Sequence, residues 1–176
     1  MSEPIQLEVI IGSVREGRFG PVVADWFVRR AQRRAEFGVG VLDLADGPPD
    51  LSGRIGAADA VVVVTPEYNH SYPGPLKSAI DGVGKEWQAK PVGFVSYGGL
   101  SGGLRAIEPL RVVFAELHTV TVRETASFHM AHGQFDADGE PHDPTGPNTA
   151  ATALLDQLLW WGRALRTART EHPYGT

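Results

Sequence analysis

The feature that most constrains this chain is a series of short apolar runs separated by segments of helical length. The clearest run is DAVVVVT at 59–65, where consecutive residues are apolar, as in a strand buried on both faces of a parallel sheet. Comparable runs at 7–12, 37–44, 90–99 and 118–125 give five predicted strands. Strands that alternate with helices indicate βαβ units with right-handed crossovers. The pattern therefore predicts an α/β fold, a doubly wound five-stranded parallel sheet with helices on both faces.

The helical segments complete this arrangement. The first carries arginines between positions 29 and 34, which we interpret as a solvated face that complements the helix C-terminus. The polar segment at 126–148 is rich in Gly, Pro, Asp and His, and we interpret it as a long functional or interface loop. No linker is visible, so residues 1–176 are predicted to form a single domain. The predicted helices span about 20–35, 52–58, 75–81, 104–117 and 149–168.

Composition removes several classes of function. The chain has no cysteine, which excludes thiol catalysis, disulfides, zinc thiolate sites and cysteine-ligated iron–sulfur clusters. A net charge of −5 argues against a general nucleic-acid or anionic-membrane binder. The N-terminus lacks a basic region and carries Glu8 within its apolar stretch, unlike a signal peptide. No apolar run approaches the ~20 residues of a membrane span. We expect a cytoplasmic protein without a nucleic-acid or membrane partner.

Ligands of doubly wound sheets bind beyond the carboxyl ends of the strands, where three loops draw attention. The first, GSVREGRFG at 12–20, combines a glycine, a hydroxyl, two arginines and a helix N-terminus, which suits a phosphate. The alternative is an ordinary strand-to-helix turn. A P-loop would need Lys-Ser/Thr where this chain has Arg18-Phe19, and G-x-G-x-x-G is absent. Mg-nucleotide hydrolysis and the usual dinucleotide site are therefore disfavoured.

The other two loops suit a planar ligand. TPEYNHSYPGPLK at 65–77 supplies two aromatic rings, an amide and three prolines directly after the central strand. A planar heterocycle would fit there, and proline-braced packing is the alternative. SYGGLSGG at 96–103 lets the backbone approach a ligand edge closely, because glycine has no Cβ.

Together these segments resemble the NADPH-dependent FMN reductase family of flavodoxin-like proteins, and the likeness extends over most of 7–122. The resemblance implies the strand order 2-1-3-4-5, bound FMN, and NADPH or NADH as co-substrate. It also implies the roles of the site residues, although the family often has serine where this chain has Arg18. The FMN phosphate would be held by the first loop, at Ser13, Arg15, Arg18, Phe19 and Gly20. The ribityl chain and the flavin would contact the second loop, at Pro66, Glu67, Tyr68 and Asn69, and His70 would help to set the approach of the nicotinamide. The edge of the flavin ring would contact the third loop, at Ser96, Tyr97, Gly98 and Gly99.

The implied activity is an oxidoreductase in which NAD(P)H delivers hydride to FMN, and the reduced flavin passes electrons to free flavin, a quinone, an azo dye or a metal oxyanion. The alternatives are a flavodoxin-type electron carrier and a non-catalytic FMN-binding module. Carriers are usually more acidic, so a net charge of −5 with clustered arginines favours the enzyme. No protein acid–base set is evident, and no catalytic side chain is assigned, since a flavin enzyme does not need one.

The resemblance further implies a homodimer or a dimer of dimers whose site borrows residues from a neighbouring subunit. Arg105 and the 126–148 loop are the candidates for that exchange. The helices predicted at 75–81 and 104–117 carry more apolar residues than one buried face requires, which agrees with an oligomer. His129 and His132 have possible metal-ligand spacing. With no accompanying carboxylate motif, we interpret them as surface histidines.

Overall fold

The computed structural model describes residues 3–47 and 50–175, and it confirms the predicted α/β architecture. One five-stranded parallel sheet has the order β2-β1-β3-β4-β5, which is the flavodoxin-like order. Three short 3₁₀ turns, at 44–46, 85–87 and 131–133, interrupt the connections. The strands are β1 (Ile5–Ile11), β2 (Phe37–Asp43), β3 (Ala60–Pro66), β4 (Pro91–Tyr97) and β5 (Val120–Phe128); the helices are α1 (Gly20–Gln32), α2 (Leu51–Ala57), α3 (Gly74–Asp81), α4 (Leu104–Glu116) and α5 (Thr145–Glu171).

The central strand β3 divides the core into two layers. Side chains of successive strand residues point to opposite faces. Val62 and Val64 accordingly pack with α1 and α5, whereas Val61 and Val63 pack with the α2, α3 and α4 side. All four valines are fully buried. This burial on both faces is why the run at 59–65 contains no polar alternation.

The C-terminal part of the chain differs from the prediction in its boundaries. Strand β5 continues to Phe128, and α5 begins at Thr145, four residues before the predicted start. The connecting segment therefore spans only 129–144. The segment is tied to α1, because Arg29 and Arg30 both form ion pairs with Glu140. The side chain of Arg30 is 11% exposed, so the interpretation of these arginines as a solvated face is wrong for this residue.

Strand β5 lies at one edge of the sheet, where its backbone groups are bonded by side chains. The guanidinium of Arg111, on α4, donates to the carbonyl oxygens of Val122 at 2.7 Å and Arg123 at 3.1 Å. On the other side, the Glu124 N–H donates to the side-chain oxygen of Gln157, on α5, at 3.1 Å. The pairing of β5 with β4 is also irregular in this part of the strand. Helices α4 and α5 thus hold the edge strand through its backbone.

Within the described residues, no helix has the length and apolarity required to cross a bilayer.

Candidate functional site

A cavity of about 500 Å³ opens at the carboxyl ends of β1, β3 and β4. This is the edge of the sheet at which the sequence predicts a ligand. All three predicted loops contribute to its wall, and a fourth segment after β5 completes it. The lining residues are Arg15, Glu16, Gly17, Arg18, Phe19, Pro66, Glu67, Tyr68, Tyr97, Gly98, Gly99, Met130, Ala131, His132 and Gly133.

The first loop, between β1 and α1, is fixed to the end of β4. The Tyr97 hydroxyl donates to the Ser13 hydroxyl oxygen at 3.1 Å, and Ser13 is fully buried. Burial raises the pKa of Tyr97 above its ordinary value, so this phenol keeps its proton. A Cβ on Gly20 would lie 2.4 Å from the Ser13 hydroxyl oxygen, which explains the glycine at the start of α1. Ser13 and Gly20 shape the loop, and neither lines the cavity.

Arg18 lines the cavity but is bonded to a carboxylate. Its two terminal nitrogens donate to the two oxygens of Asp43 at 2.5 and 2.6 Å, and Nη1 also donates to the Ser13 carbonyl at 2.8 Å. Burial opposes ionisation of Asp43, but the hydrogen bonds from Arg18 and from the Ala45 N–H outweigh it and lower its pKa. Any phosphate bound by Arg18 would compete with this pair. Asp43 was not among the predicted site residues, although it lies at the carboxyl end of β2, the edge of the sheet where ligands bind.

Arg15 is the second cation of this loop, and its environment is different. Its guanidinium carbon lies 3.8 Å from the centroid of the Tyr68 ring, in a cation–π contact. Arg15 is exposed, and no described carboxylate forms an ion pair with it. Its charge is thus available to an anion at the cavity mouth.

The loop after β3 supplies Pro66, Glu67 and Tyr68 to the lining. The Glu67 carboxylate accepts from the Ser101 hydroxyl and from the Arg105 backbone N–H, the latter at 3.2 Å. Glu67 therefore joins the loop after β3 to the loop after β4. The next two residues of the loop, at 69–70, lie outside the lining.

The loop after β4 places Tyr97, Gly98 and Gly99 at the cavity. A Cβ on Gly99 would meet no atom within 4 Å, so the space beside it is open to a ligand. Ser96 does not reach this space, because its hydroxyl donates to the Gly102 carbonyl at 2.7 Å and lies 2.9 Å from the Ser127 hydroxyl. Ser96 therefore fixes the loop after β4 through its bond to Gly102 and does not contact the cavity.

The segment after β5 forms the fourth wall; the sequence indicates a functional or interface loop at 126–148, but none of residues 130–133 was predicted to line the site. Residues 130–133 line the cavity. The His132 ring lies 4.7 Å from the Phe19 ring, and a ring nitrogen of His129 lies 2.8 Å from the Leu100 carbonyl oxygen. The family resemblance made this segment a candidate for the site of a neighbouring subunit, and within one chain it lines the cavity of its own subunit. The aromatic residue Phe135, which packs on Phe19, was the available signal.

Known proteins with similar sequences are flavin and quinone reductases. The family model for NADPH-dependent FMN reductases matches residues 5–133. The chain is 32% identical to a quinone reductase of Pseudomonas putida over 183 aligned positions, covering 92% of this chain and 96% of that protein. It is 37% identical to an NAD(P)H-dependent FMN reductase of Schizosaccharomyces pombe over 117 residues, covering 54% of this chain and 58% of the yeast protein.

Solved structures show the same fold. The flavoenzyme FerB, an NAD(P)H:(acceptor) oxidoreductase of Paracoccus denitrificans, superposes with a TM-score of 0.73 at 23% identity, over 91% of this chain and 98% of that one. A flavodoxin variant of Pseudomonas aeruginosa superposes with a TM-score of 0.59 at 20% identity, over 92% and 99% of the two chains. At these identities the likeness establishes the fold alone.

Proposed function

The chain belongs to the NADPH-dependent FMN reductase family, whose members use FMN as cofactor and NAD(P)H as co-substrate, and we propose that its 500 Å³ cavity holds FMN for hydride transfer to a small acceptor. The observation that carries the proposal is the convergence of the three predicted loops on one cavity. Aromatic rings of Tyr68 and Tyr97 lie on its wall, and Gly99 leaves open space beside it. A flat ring system with an anionic tail matches these walls.

The donor set suits the phosphate of FMN. Helix α1 begins beside the cavity, and in the described chain its first turn has no acidic residue and its N-terminus no side-chain cap. The N–H groups of such a terminus are favourable partners for an anion. Arg15 adds a charge-assisted donor, while Arg18 acts indirectly by tying the loop to Asp43. We therefore assign the phosphate to the α1 N-terminus and Arg15.

The contacts of the ribityl chain and the flavin ring are assigned to the residues that line the cavity. Pro66, Glu67 and Tyr68 would contact the ribityl chain and one side of the ring, and Gly98 and Gly99 would border its edge. Bound FMN supplies the hydride-accepting chemistry. The residues of the chain orient it: the neutral Tyr97 hydroxyl holds Ser13, and the segment at 130–133 excludes water from one side. The open space at Gly99 leaves room for nicotinamide at the ~3–3.5 Å that hydride transfer requires.

The acceptor we propose is a quinone or free flavin, with azo compounds and metal oxyanions as further candidates of the same chemical kind. The support is the name of the Pseudomonas putida relative, a quinone reductase that aligns over most of both chains. Nicotinamide and acceptor would use the same open side of the flavin in turn. This arrangement demands that the first product leave before the acceptor enters.

Anaerobic stopped flow tests the proposed activity. After reconstitution with FMN, we expect NADPH or NADH to bleach the flavin absorbance completely, which corresponds to two electrons, and steady-state kinetics with a quinone to be ping-pong. If neither nucleotide bleaches the flavin while a one-electron donor leaves a stable half-reduced signal, the protein is an electron carrier. If apoprotein does not bind FMN at all, the cavity assignment is wrong.

We further propose that the protein forms a homodimer or a dimer of dimers through α4. The outer face of this helix carries Leu104 and Val112, 44% and 72% exposed, two turns apart, and Leu100 beside them is 83% exposed. Glu108, whose side chain is 77% exposed, lies between them on the helix, so the face combines a charge with exposed apolar side chains, and the apolar side chains support an interface. Leu104 is adjacent to Arg105, which bonds to Glu67 in the cavity wall. The proposed contact between subunits therefore lies close to the mouth of the cavity.

Substituting Val112→Glu should convert the oligomer into a 19.0 kDa monomer, because a charge would be buried in the interface. Light scattering measures the mass, and circular dichroism should show an unchanged fold, since Val112 is exposed. Val41→Glu, at the opposite edge of the sheet, is the control and should leave the mass unchanged. A monomeric parent protein at micromolar concentration would remove the oligomer proposal.

A further inference from the structure

The tight turn after β3 holds two residues in an unfavourable backbone conformation. Tyr68 and Ser71 exchange both backbone hydrogen bonds, at 2.8 and 3.0 Å. The two residues between them, Asn69 and His70, have φ of 51° and 66°. This left-handed pair is the geometry of a type I′ turn, for which Asn-Gly is the favoured sequence. Asparagine and histidine both occur in this conformation more often than most other L-residues, but only glycine adopts it without a steric cost.

One guanidinium contacts the side chain of His70, the second left-handed residue of the turn. Nη1 of Arg105, at the start of α4, lies 2.9 Å from His70 Nε2 and 3.3 Å from Glu67 Oε1. The Arg105 backbone N–H donates to the same carboxylate. An arginine can only donate, so His70 must accept through Nε2 and carry its proton on Nδ1. Arg105 therefore bridges the turn to the loop on the other side of the cavity mouth.

We propose that Arg105 is a positioning residue that holds the Tyr68–Ser71 turn in its left-handed conformation and thereby fixes the Tyr68 ring in the cavity wall. The inference rests on the proposed function only in its consequence for FMN. Arg105 then acts within its own chain, whereas the family resemblance made it a candidate for a role in a neighbouring subunit. Tyr68 is the residue through which the effect reaches the ligand, since it both begins the turn and lines the cavity.

The first measurement uses the protein without FMN. Arg105→Ala should accelerate amide hydrogen exchange at Tyr68 and Ser71, the two N–H donors of the turn, by about tenfold, which corresponds to the loss of one hydrogen bond to a charged group. Exchange in the core strand β3 should not change. Unchanged exchange at both turn amides would overturn the proposal. This readout does not depend on whether the cavity binds FMN.

The second measurement is FMN affinity, by fluorescence titration of the apoprotein. Arg105→Ala should weaken binding about three- to tenfold. Adding His70→Gly should restore affinity to within about threefold of the parent, because glycine adopts the left-handed conformation without support. Adding His70→Ala is the matched control and should not restore it, since alanine also lacks the imidazole but keeps the strain.

Equal rescue by glycine and alanine would overturn the proposal, because the backbone conformation would then be irrelevant. Faster exchange with unchanged FMN affinity would equally overturn the link from the turn to the cavity wall. If the parent protein fails to bind FMN, the proposed function fails, and the exchange result at Tyr68 and Ser71 still decides the role of Arg105. A loss of affinity that parent subunits restore on mixing would instead assign Arg105 to the neighbouring site.

Discussion

Gly103→Ala is expected to destabilise the protein by about 2–5 kcal/mol. Gly103 is the N-cap residue of α4 and has a φ of 87°, a conformation that costs an L-residue about 1–2 kcal/mol. A Cβ there would also lie 2.6 Å from the Ser96 Cβ and 2.9 Å from the Tyr97 backbone nitrogen. Overpacking of this kind typically costs about 1–3 kcal/mol. Neither neighbour can yield easily, because both belong to the buried end of β4.

Thermal unfolding followed by circular dichroism measures this effect, and a fall in Tm of roughly 5–15 °C is expected for a chain of this size. Gly146→Ala is the control, because a Cβ at Gly146 would meet no atom within 4 Å and its φ is not positive. FMN affinity should fall with Gly103→Ala, since the same loop presents Gly98 and Gly99 to the cavity. A Gly103 variant as stable as the control would contradict the geometry described for this loop.

Arg15→Ala is expected to weaken FMN binding by about 10- to 100-fold while leaving riboflavin binding nearly unchanged. A hydrogen bond to a charged group contributes about 1.5–3 kcal/mol, and riboflavin lacks the phosphate that would receive it. The contact of Arg15 with Tyr68 is lost whichever flavin is bound, so its effect cancels when the change in FMN affinity is divided by the change in riboflavin affinity. Affinities for both ligands are measured by quenching of flavin fluorescence. Parent protein that binds riboflavin as tightly as FMN would refute the phosphate assignment.

Arg18→Ala provides the matched comparison within the same loop. Its guanidinium is paired with Asp43 and bonded to the Ser13 carbonyl, so its loss leaves a partly buried carboxylate without its partner. We expect a lower Tm and weaker binding of both flavins. A selective loss of FMN affinity in Arg18→Ala, equal to that of Arg15→Ala, would instead show that Arg18 exchanges Asp43 for the phosphate.

The strands could be predicted because each is a local run of apolar residues. Their order could be predicted because the sequence resembles a family whose strand order is known. A run such as 59–65 is apolar throughout, since both faces of β3 are covered. The start of α5 was misplaced because its first turn, from Thr145, contains no buried residue that would extend the apolar stripe. Boundaries set by polar residues carry little pattern, whereas a buried face does.

The site was predictable to the level of loops but not of individual contacts. The sequence shows that Arg18 lies in an anion-suited turn, but its partner Asp43 is 25 positions away and no local pattern joins them. The fourth wall at 130–133 depends on ion pairs between Glu140 and α1 and on packing against Phe19. Both are tertiary contacts between distant parts of the chain. Charges that meet only in the folded state have no signature of spacing.

The side-chain bonds along β5 have a consequence for the behaviour of concentrated protein. An unpaired strand edge is a template on which another chain can add a strand, and this is a common route to amyloid-like aggregates. Arg111 and Gln157 occupy carbonyl and amide groups that an incoming strand would need. Growth by strand addition is thereby hindered in the middle of this edge strand, at residues 122–124. The effect is confined to β5, because β2 forms the other edge of the sheet.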